Sequence, residues 1–108
     1  MAHYLIQVPY NNQGISDLVK NPQDRSTAIR SVIEGMGGRI ESFYFAFGDY
    51  DAVVIAELPD NASAAAFAMA VGAGGAMRSY KTTVLIPTAE AVEAMRKAST
   101  LGYRPPSG

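Results

Sequence analysis

The chain contains no cysteine and no tryptophan, and His3 is its single histidine in 108 residues. Without cysteine it can form no disulfide, no thiolate nucleophile and no cysteine-based metal site. A site built from several histidines is also excluded within one subunit. We therefore expect neither a metal nor a cofactor.

Neither sign of charge predominates, since 9 basic side chains face 10 acidic ones and the net charge is -1. Nucleic-acid binding and electrostatic membrane attachment both favour a clear excess of Lys and Arg. The longest apolar-rich run, residues 62–73, is too short to cross a bilayer, and no signal-peptide pattern opens the chain. We expect a cytoplasmic protein with no nucleic-acid partner and no membrane partner.

Hydrophobic residues make up 48% of the chain, which is enough for a core in a single domain. At this length roughly two-thirds of the unfolded surface can be buried. We expect residues 1–98 to form that domain. Residues 99–108, with Gly102, Pro105 and Pro106, are expected to form an irregular tail.

Periodicity and turn residues predict the order β-α-β-β-α-β, followed by one further helix. The expected strands are 3–10, 39–47, 52–58 and 77–86, and the expected helices are a short one at 15–20 and longer ones at 22–35, 62–73 and 89–98. Asn21 is predicted to cap the helix from Pro22, Asp60 or Asn61 the next, and Thr88 the last. This order is typical of the α+β ferredoxin-like fold, a four-stranded antiparallel sheet with both helices on one face.

Strict alternation along the second strand predicts two faces, one with Ile40, Ser42, Tyr44 and Ala46, the other with Glu41, Phe43, Phe45 and Phe47. Apolar side chains occur on both faces of every strand, which is more than a free sheet face leaves in water. We therefore expect a second copy to cover the open face, as a homodimer or a higher homo-oligomer.

The tight turn Gly48-Asp49-Tyr50-Asp51 joins the two middle strands and gathers polar side chains around one glycine. In the structural interpretation, Gly48 supplies a positive φ and Asp51 accepts backbone N–H groups. In the functional interpretation, Tyr50 and Asp51 line the rim of a pocket as acid–base or hydrogen-bonding groups.

Glu57 and His3 are the other candidate ligand-binding residues, together with Tyr44 and Asp49. A carboxylate in a central strand must be paired or become a general base, and we expect Lys81 or Arg78 to pair with Glu57. Histidine is the residue type that changes charge near neutral pH, but a surface position at a strand end also accounts for His3.

The residues from Phe47 to Glu57, with Asn21-Pro22 and Met36-Gly37-Gly38 before them, resemble the GYD-domain family. The resemblance extends over roughly residues 4–98 and implies a dimeric α/β-barrel fold. It implies no activity, because relatives of this fold range from small monooxygenases and cyclases to stress-response proteins.

Three functions remain open from the sequence. The first is a dimer that binds a small apolar or aromatic ligand between sheet and helices. The second is a cofactor-independent, monooxygenase- or cyclase-like enzyme on a small aromatic substrate, with His3 or Asp51 as base and Tyr44 or Tyr50 as hydrogen-bond donor. The third is a structural assembly subunit. No catalytic residue is assigned.

Overall fold

The computed structural model describes residues 1–107, so that Gly108, the last residue of the expected tail, lies outside the described part. The fold is α+β and ferredoxin-like. Its elements, in chain order, are β1 (Ala2–Val8), α1 (Asn12–Lys20), α2 (Ser26–Gly35), β2 (Arg39–Phe45), β3 (Ala52–Leu58), α3 (Asn61–Ala73), β4 (Lys81–Leu85) and α4 (Thr88–Ala98).

The four strands form one antiparallel sheet in the order β2-β3-β1-β4, with β1 and β3 in the centre. Alternate residues of the two central strands point to the same side and are buried there, as a period of two requires. These residues are Tyr4, Ile6 and Val8 of β1 and Ala52, Val54, Ala56 and Leu58 of β3. The core lies between this face and the helices, which contribute Ile33, Ala64 and Phe67.

The predicted bounds of β3 are confirmed, and the alanine-rich α3 packs against the sheet. Asp60 caps α3, since its side chain accepts the backbone N–H of Ser63 at 2.8 Å. The small side chains of Ala64 and Ala68 allow α3 to lie close to the sheet, and both are buried.

The predicted alternation along β2 is wrong beyond Ile40, because a β-bulge interrupts the register between Ile40 and Ser42. A bulge places one extra residue in the strand and reverses the side to which later residues point. Phe43 therefore pairs with Val54 on the helix side, the side of Ile40. Ser42 and Tyr44 belong to the opposite side, which we call the open face.

The predicted start of α2 at Pro22 is also wrong, because α2 begins at Ser26. Asn21 ends α1 instead, with its N–H donated to the carbonyl of Asp17. A residue that terminates one helix in this way is not placed to begin the next. At the observed start of α2, the carboxylate of Asp24 accepts the backbone N–H of Ser26 at 2.9 Å.

β4 is shorter than predicted and runs over Lys81–Leu85. Met77 forms only an isolated bridge with Tyr10, and the N–H of Arg78 is donated to the carbonyl of Pro9. The chain before β4 is thus attached to the end of β1. Thr88 is the first residue of α4 and does not cap it, since it has already entered the helix.

α4 extends away from the sheet and the other helices. It has no buried residue, and no other element of the described chain packs substantially against it. The radius of gyration is 17.4 Å, against about 13 Å for a compact domain of this length. No helix among residues 1–107 is long and apolar enough to span a membrane.

Candidate functional site

The turn that carries the motif connects β2 to β3 and also holds the end of β1 in place. Gly48 has a φ of 155°, which only glycine adopts readily. The carboxylate of Asp51 accepts the backbone N–H of Tyr10 at 2.8 Å, and the N–H of Asp51 is donated to the carbonyl of Val8. Asp51 therefore fixes the direction in which the chain leaves β1.

Tyr10 lies where several parts of the structure meet. Its carbonyl accepts from the guanidinium of Arg78 at 3.1 Å, and its side chain is buried among the helices and the sheet. Burial raises the pKa of the Tyr10 phenol; the nearby Arg25 guanidinium lowers it in part, and Asp51 raises it further. The phenol thus stays protonated and can donate a hydrogen bond into its surroundings.

An apolar groove between α2 and α3 opens next to Tyr10, with a volume of about 280 Å³. Eight of its nine lining residues carry no polar side-chain group: Ile29, Val32, Phe67, Ala70, Val71, Gly74, Ala76 and Met77. The ninth is Arg25, at the start of α2. We call this space the interhelical groove.

The interhelical groove continues toward the sheet and toward α1. Ile29, Phe67 and Met77 also line a gap of about 30 Å³ beneath it, which reaches Tyr10 and the core strands. Arg25 and Met77 are shared with a neighbouring space of about 220 Å³ and mixed polarity, lined by Tyr10, Asp17 and Gln23 among others. Arg25 therefore lies between the apolar groove and a more polar space.

Arg25 is partly buried and has no carboxylate within salt-bridge distance among residues 1–107. Its guanidinium donates to the side-chain oxygen of Gln23 at 3.0 Å. A guanidinium presents five N–H donors in a rigid fork, so further donors remain for an anionic group.

A second polar cluster lies on the open face, at the end of the sheet away from the motif turn. His3 Nδ1 lies 3.0 Å from Glu41, and His3 Nε2 lies 3.5 Å from Glu57. The guanidinium of Arg39 is paired with Glu57 and lies 3.9 Å from Glu41. The expectation that Glu57 is paired is confirmed, but its partners are Arg39 and His3, because the register sets these residues beside it and not Lys81 or Arg78.

Three potential metal-ligand atoms of this cluster, from His3, Glu41 and Glu57, lie within 4.8 Å of one another. Nitrogen and carboxylate oxygen are suitable ligands for zinc and similar ions. Each imidazole nitrogen already faces a carboxylate, however, and Arg39 already neutralises Glu57. These atoms already face one another, so the cluster has the arrangement of an ion-pair and hydrogen-bond network.

The six candidate residues from the sequence fall into two separate groups. His3 and Glu57 lie in the open-face cluster, whereas Tyr44, Asp49, Tyr50 and Asp51 lie at or beside the motif turn. The β3 partners of His3 and Tyr44 are Glu57 and Val53, four residues and thus about 13 Å apart along the strand. The structure does not bring His3 together with Tyr44 or the motif turn, and Tyr44 is 68% exposed.

Sequence reasoning missed Arg25, Tyr10 and Glu41 as site residues. Arg25 was expected to lie within a helix and point away from its apolar stripe. Glu41 was assigned to the side of Phe43, because the bulge is not visible as a break in the apolar pattern. The sequence offers one signal for the groove, which is Arg25 at the start of a helix with an apolar stripe.

The fold, the antiparallel order and the Gly48–Asp51 turn define a small α+β protein of the ferredoxin-like class. The family model described as "GYD domain" matches residues 4–95, and the chain belongs to this family. Comparison with curated proteins gives no match.

Solved structures share this fold at low sequence identity. FFRP-DM1 is 14% identical, with a TM-score of 0.50 over 80% of this chain and 100% of that one. The hypothetical protein PHS023 from Pyrococcus horikoshii is 14% identical, with a TM-score of 0.51 over 81% of this chain and 92% of that one. MtbAldR is 18% identical, with a TM-score of 0.51 over 80% of this chain and 52% of that one. At such identities the likeness concerns the fold alone.

Proposed function

We propose that the protein is a self-associating binding protein that holds a small apolar or aromatic ligand in the interhelical groove. The observation that carries this proposal is the groove's lining, which is apolar except for Arg25. Small-molecule sites are typically concave and apolar, with a few polar groups that fix the ligand's orientation.

The presence of Arg25 predicts that the proposed ligand carries an acidic group. A guanidinium without a carboxylate partner, beside apolar walls, favours a molecule with an apolar body and one carboxylate or sulfonate. The buried phenol of Tyr10 lies against the Arg25 guanidinium and helps to hold it beside the groove. An aromatic or branched aliphatic acid would use both the apolar walls and Arg25.

Self-association is supported by the open face of the sheet. Leu5, Val53, Ile55 and Leu85 lie on this face and are half-buried, and the helices of the described chain lie on the other side. Antiparallel sheets expose one face to water when that face is polar. On this face the ion-pair cluster lies at one end, but Leu5, Val53 and Ile55 form an apolar patch at the centre. A twofold-related copy would cover it. A cytoplasmic location is part of the same proposal.

Two dyes test the ligand proposal: the anionic 8-anilinonaphthalene-1-sulfonate and the neutral N-phenyl-1-naphthylamine. We expect both dyes to become fluorescent in the groove. Arg25→Met should weaken binding of the anionic dye by about tenfold, which corresponds to the loss of one charged hydrogen bond. Binding of the neutral dye should change little. If Arg25→Met weakens binding of both dyes equally, or weakens binding of neither, the proposed role of Arg25 is contradicted.

A matched pair of substitutions locates the dye. Ala70 lines the interhelical groove, whereas Ala66, on the same helix and also exposed, lines none of the grooves described. Ala70→Phe should block both dyes and Ala66→Phe should leave them bound. If the two variants bind equally, the ligand site lies elsewhere.

The other functions remain open as alternatives. A cofactor-independent enzyme would need a base beside a hydrogen-bond donor. His3 lies at the other end of the sheet from Tyr44 and Tyr50, whereas Asp51 adjoins Tyr50 but already accepts the backbone N–H of Tyr10. A structural assembly subunit would self-associate in the same way but leave both dyes unbound. Dye binding thus separates the first proposal from the third.

A further inference from the structure

α3 has no charged residue from Asn61 to Ala73, and its outward side is as apolar as its inward side. Its inward residues Ala64, Phe67 and Ala68 are buried, whereas Met69 is 67% exposed. A helix that is apolar all round is normally covered all round. In this chain the sheet covers only one side of it, and a partner for the other side is required.

A second groove lies along α3 on the side away from α2. It has a volume of about 380 Å³ and runs between α3 and the edge strand β4. Its walls include Ala65, Ala68 and Met69 of α3 and Val84 of β4. Val84 is 55% exposed, although its partner across the register, Tyr4, belongs to the core. The layer of helices thus ends before it reaches β4, and the edge strand has no helix over it.

α4 has the complementary defect, because it has an apolar stripe and nothing to pack against. Val92 and Met95 lie on one side of this helix, together with Ala91 and Ala98, and Glu93 and Lys97 lie on the other. Met95 is 65% exposed. The residue before α4, Pro87, has φ -54° and ψ 145°, so that the chain continues in the extended direction of β4 and leaves the sheet.

We propose that α4 of one copy packs into the groove between α3 and β4 of a second copy, and that the two copies exchange these helices. The dimensions agree, since 11 residues of α4 span about 16 Å and 13 residues of α3 span about 20 Å. The polarity agrees as well, because a charge-free wall meets the apolar stripe while Glu93 and Lys97 stay in water.

A second copy of this chain accounts for both defects at once. In a twofold exchange, each copy fills the other's groove and has its own groove filled, so that no helix and no groove remains unpaired. An unrelated protein would have to match a projecting helix and an empty groove separately. The exchange is independent of the interhelical groove, which lies on the opposite side of α3.

Engineered cysteines test the exchange directly, since the chain has none of its own. Met95→Cys marks the apolar stripe of α4, and Met69→Cys marks the lip of the groove. The two variants are purified separately, one of them ¹⁵N-labelled, mixed, allowed to re-equilibrate and oxidised. We expect a disulfide-linked heterodimer, identified by its mass.

Glu93→Cys on the opposite side of α4 serves as the matched control and should not crosslink to Met69→Cys. The double variant Met69→Cys/Met95→Cys, at low concentration, reports whether the helix closes onto its own chain. A monomeric product with an internal disulfide would overturn the exchange. So would the absence of any heterodimer, or equal crosslinking by the Glu93 control.

Discussion

The Asp51 carboxylate accepts the backbone N–H of Tyr10 at 2.8 Å across 41 positions of sequence. This hydrogen bond ties the motif turn to the end of β1 and helps to position Tyr10, which lines the gap beneath the interhelical groove. The last residue of the motif thus shapes a site that it does not line.

We expect Asp51→Ala to lower the free energy of unfolding by about 1.5–3 kcal/mol, because a partly buried N–H loses an ionised acceptor. Asp51→Asn should cost less, since its amide oxygen can still accept. Urea unfolding followed by circular dichroism measures both. Asp49→Asn, at an exposed position of the same turn, is the control; a loss equal to that of Asp51→Ala would contradict this assignment.

The N-cap of α3 makes stability depend on pH. The N–H of Ser63 holds the pKa of the Asp60 carboxyl below its ordinary value of 3.8. A lowered pKa gives stability that is present above the unfolded value and is lost as pH falls through the folded value. We therefore expect the urea concentration at the unfolding midpoint to decrease once the pH is brought below about 4.

Asp60→Asn separates the cap from its charge. Asparagine is also a good N-cap, but it does not titrate. We therefore expect this variant to retain α3 at neutral pH and to show a shallower fall of the urea midpoint in acid. An unchanged acid profile would assign the fall to other carboxyl groups.

The close approach of Gly38 to β3 leaves no room for a side chain. A Cβ at this position would lie 2.3 Å from the carbonyl oxygen of Glu57 and 2.9 Å from Leu58. We expect Gly38→Ala to lower the free energy of unfolding by about 1–3 kcal/mol. Gly35→Ala meets nothing within 4 Å at the end of α2 and should be neutral or stabilising by up to about 1 kcal/mol. Thermal unfolding distinguishes the two, and equal melting temperatures would contradict the packing described.

The apolar patch at the centre of the open face predicts an effect on assembly. Ile55 lies near the centre of that face, opposite Leu5. If the proposed contact between open faces forms, Ile55→Glu should lower the mass in light scattering while circular dichroism stays unchanged, because a buried unpaired charge is costly. Val19→Glu, on α1 at a 73% exposed position, should leave the mass as it is. An unchanged mass of the Ile55→Glu protein would contradict self-association through this face.

Local patterns predicted those parts of the fold whose determinants are local. The bounds of β3 follow from an apolar run, broken only by Glu57, between a turn and a proline. The cap of α3 follows from Asp60 before a run of alanines. The strand order could be predicted because a split βαβ unit has few alternatives.

The parts that failed depend on distant contacts. Glu41 changes side because β2 adapts to β3 through a bulge, which no feature of residues 39–45 requires. Arg25 became a site residue only because α2, α3 and the segment around Met77 together enclose a groove beside it. Glu57 was correctly expected to be paired, but the choice of Arg39 over Lys81 depends on register alone.

The charge-free composition of α3 has a consequence for how the gene tolerates substitution. Surface helices usually have one side on which almost any residue is accepted. Between Asn61 and Ala73 a saturation library should find only a narrow one around Ala66, because the sheet, the interhelical groove and the groove along β4 each restrict a different part of the helix. The least permissive stretch of the chain would then be the one with the plainest composition, outside the motif that defines the family.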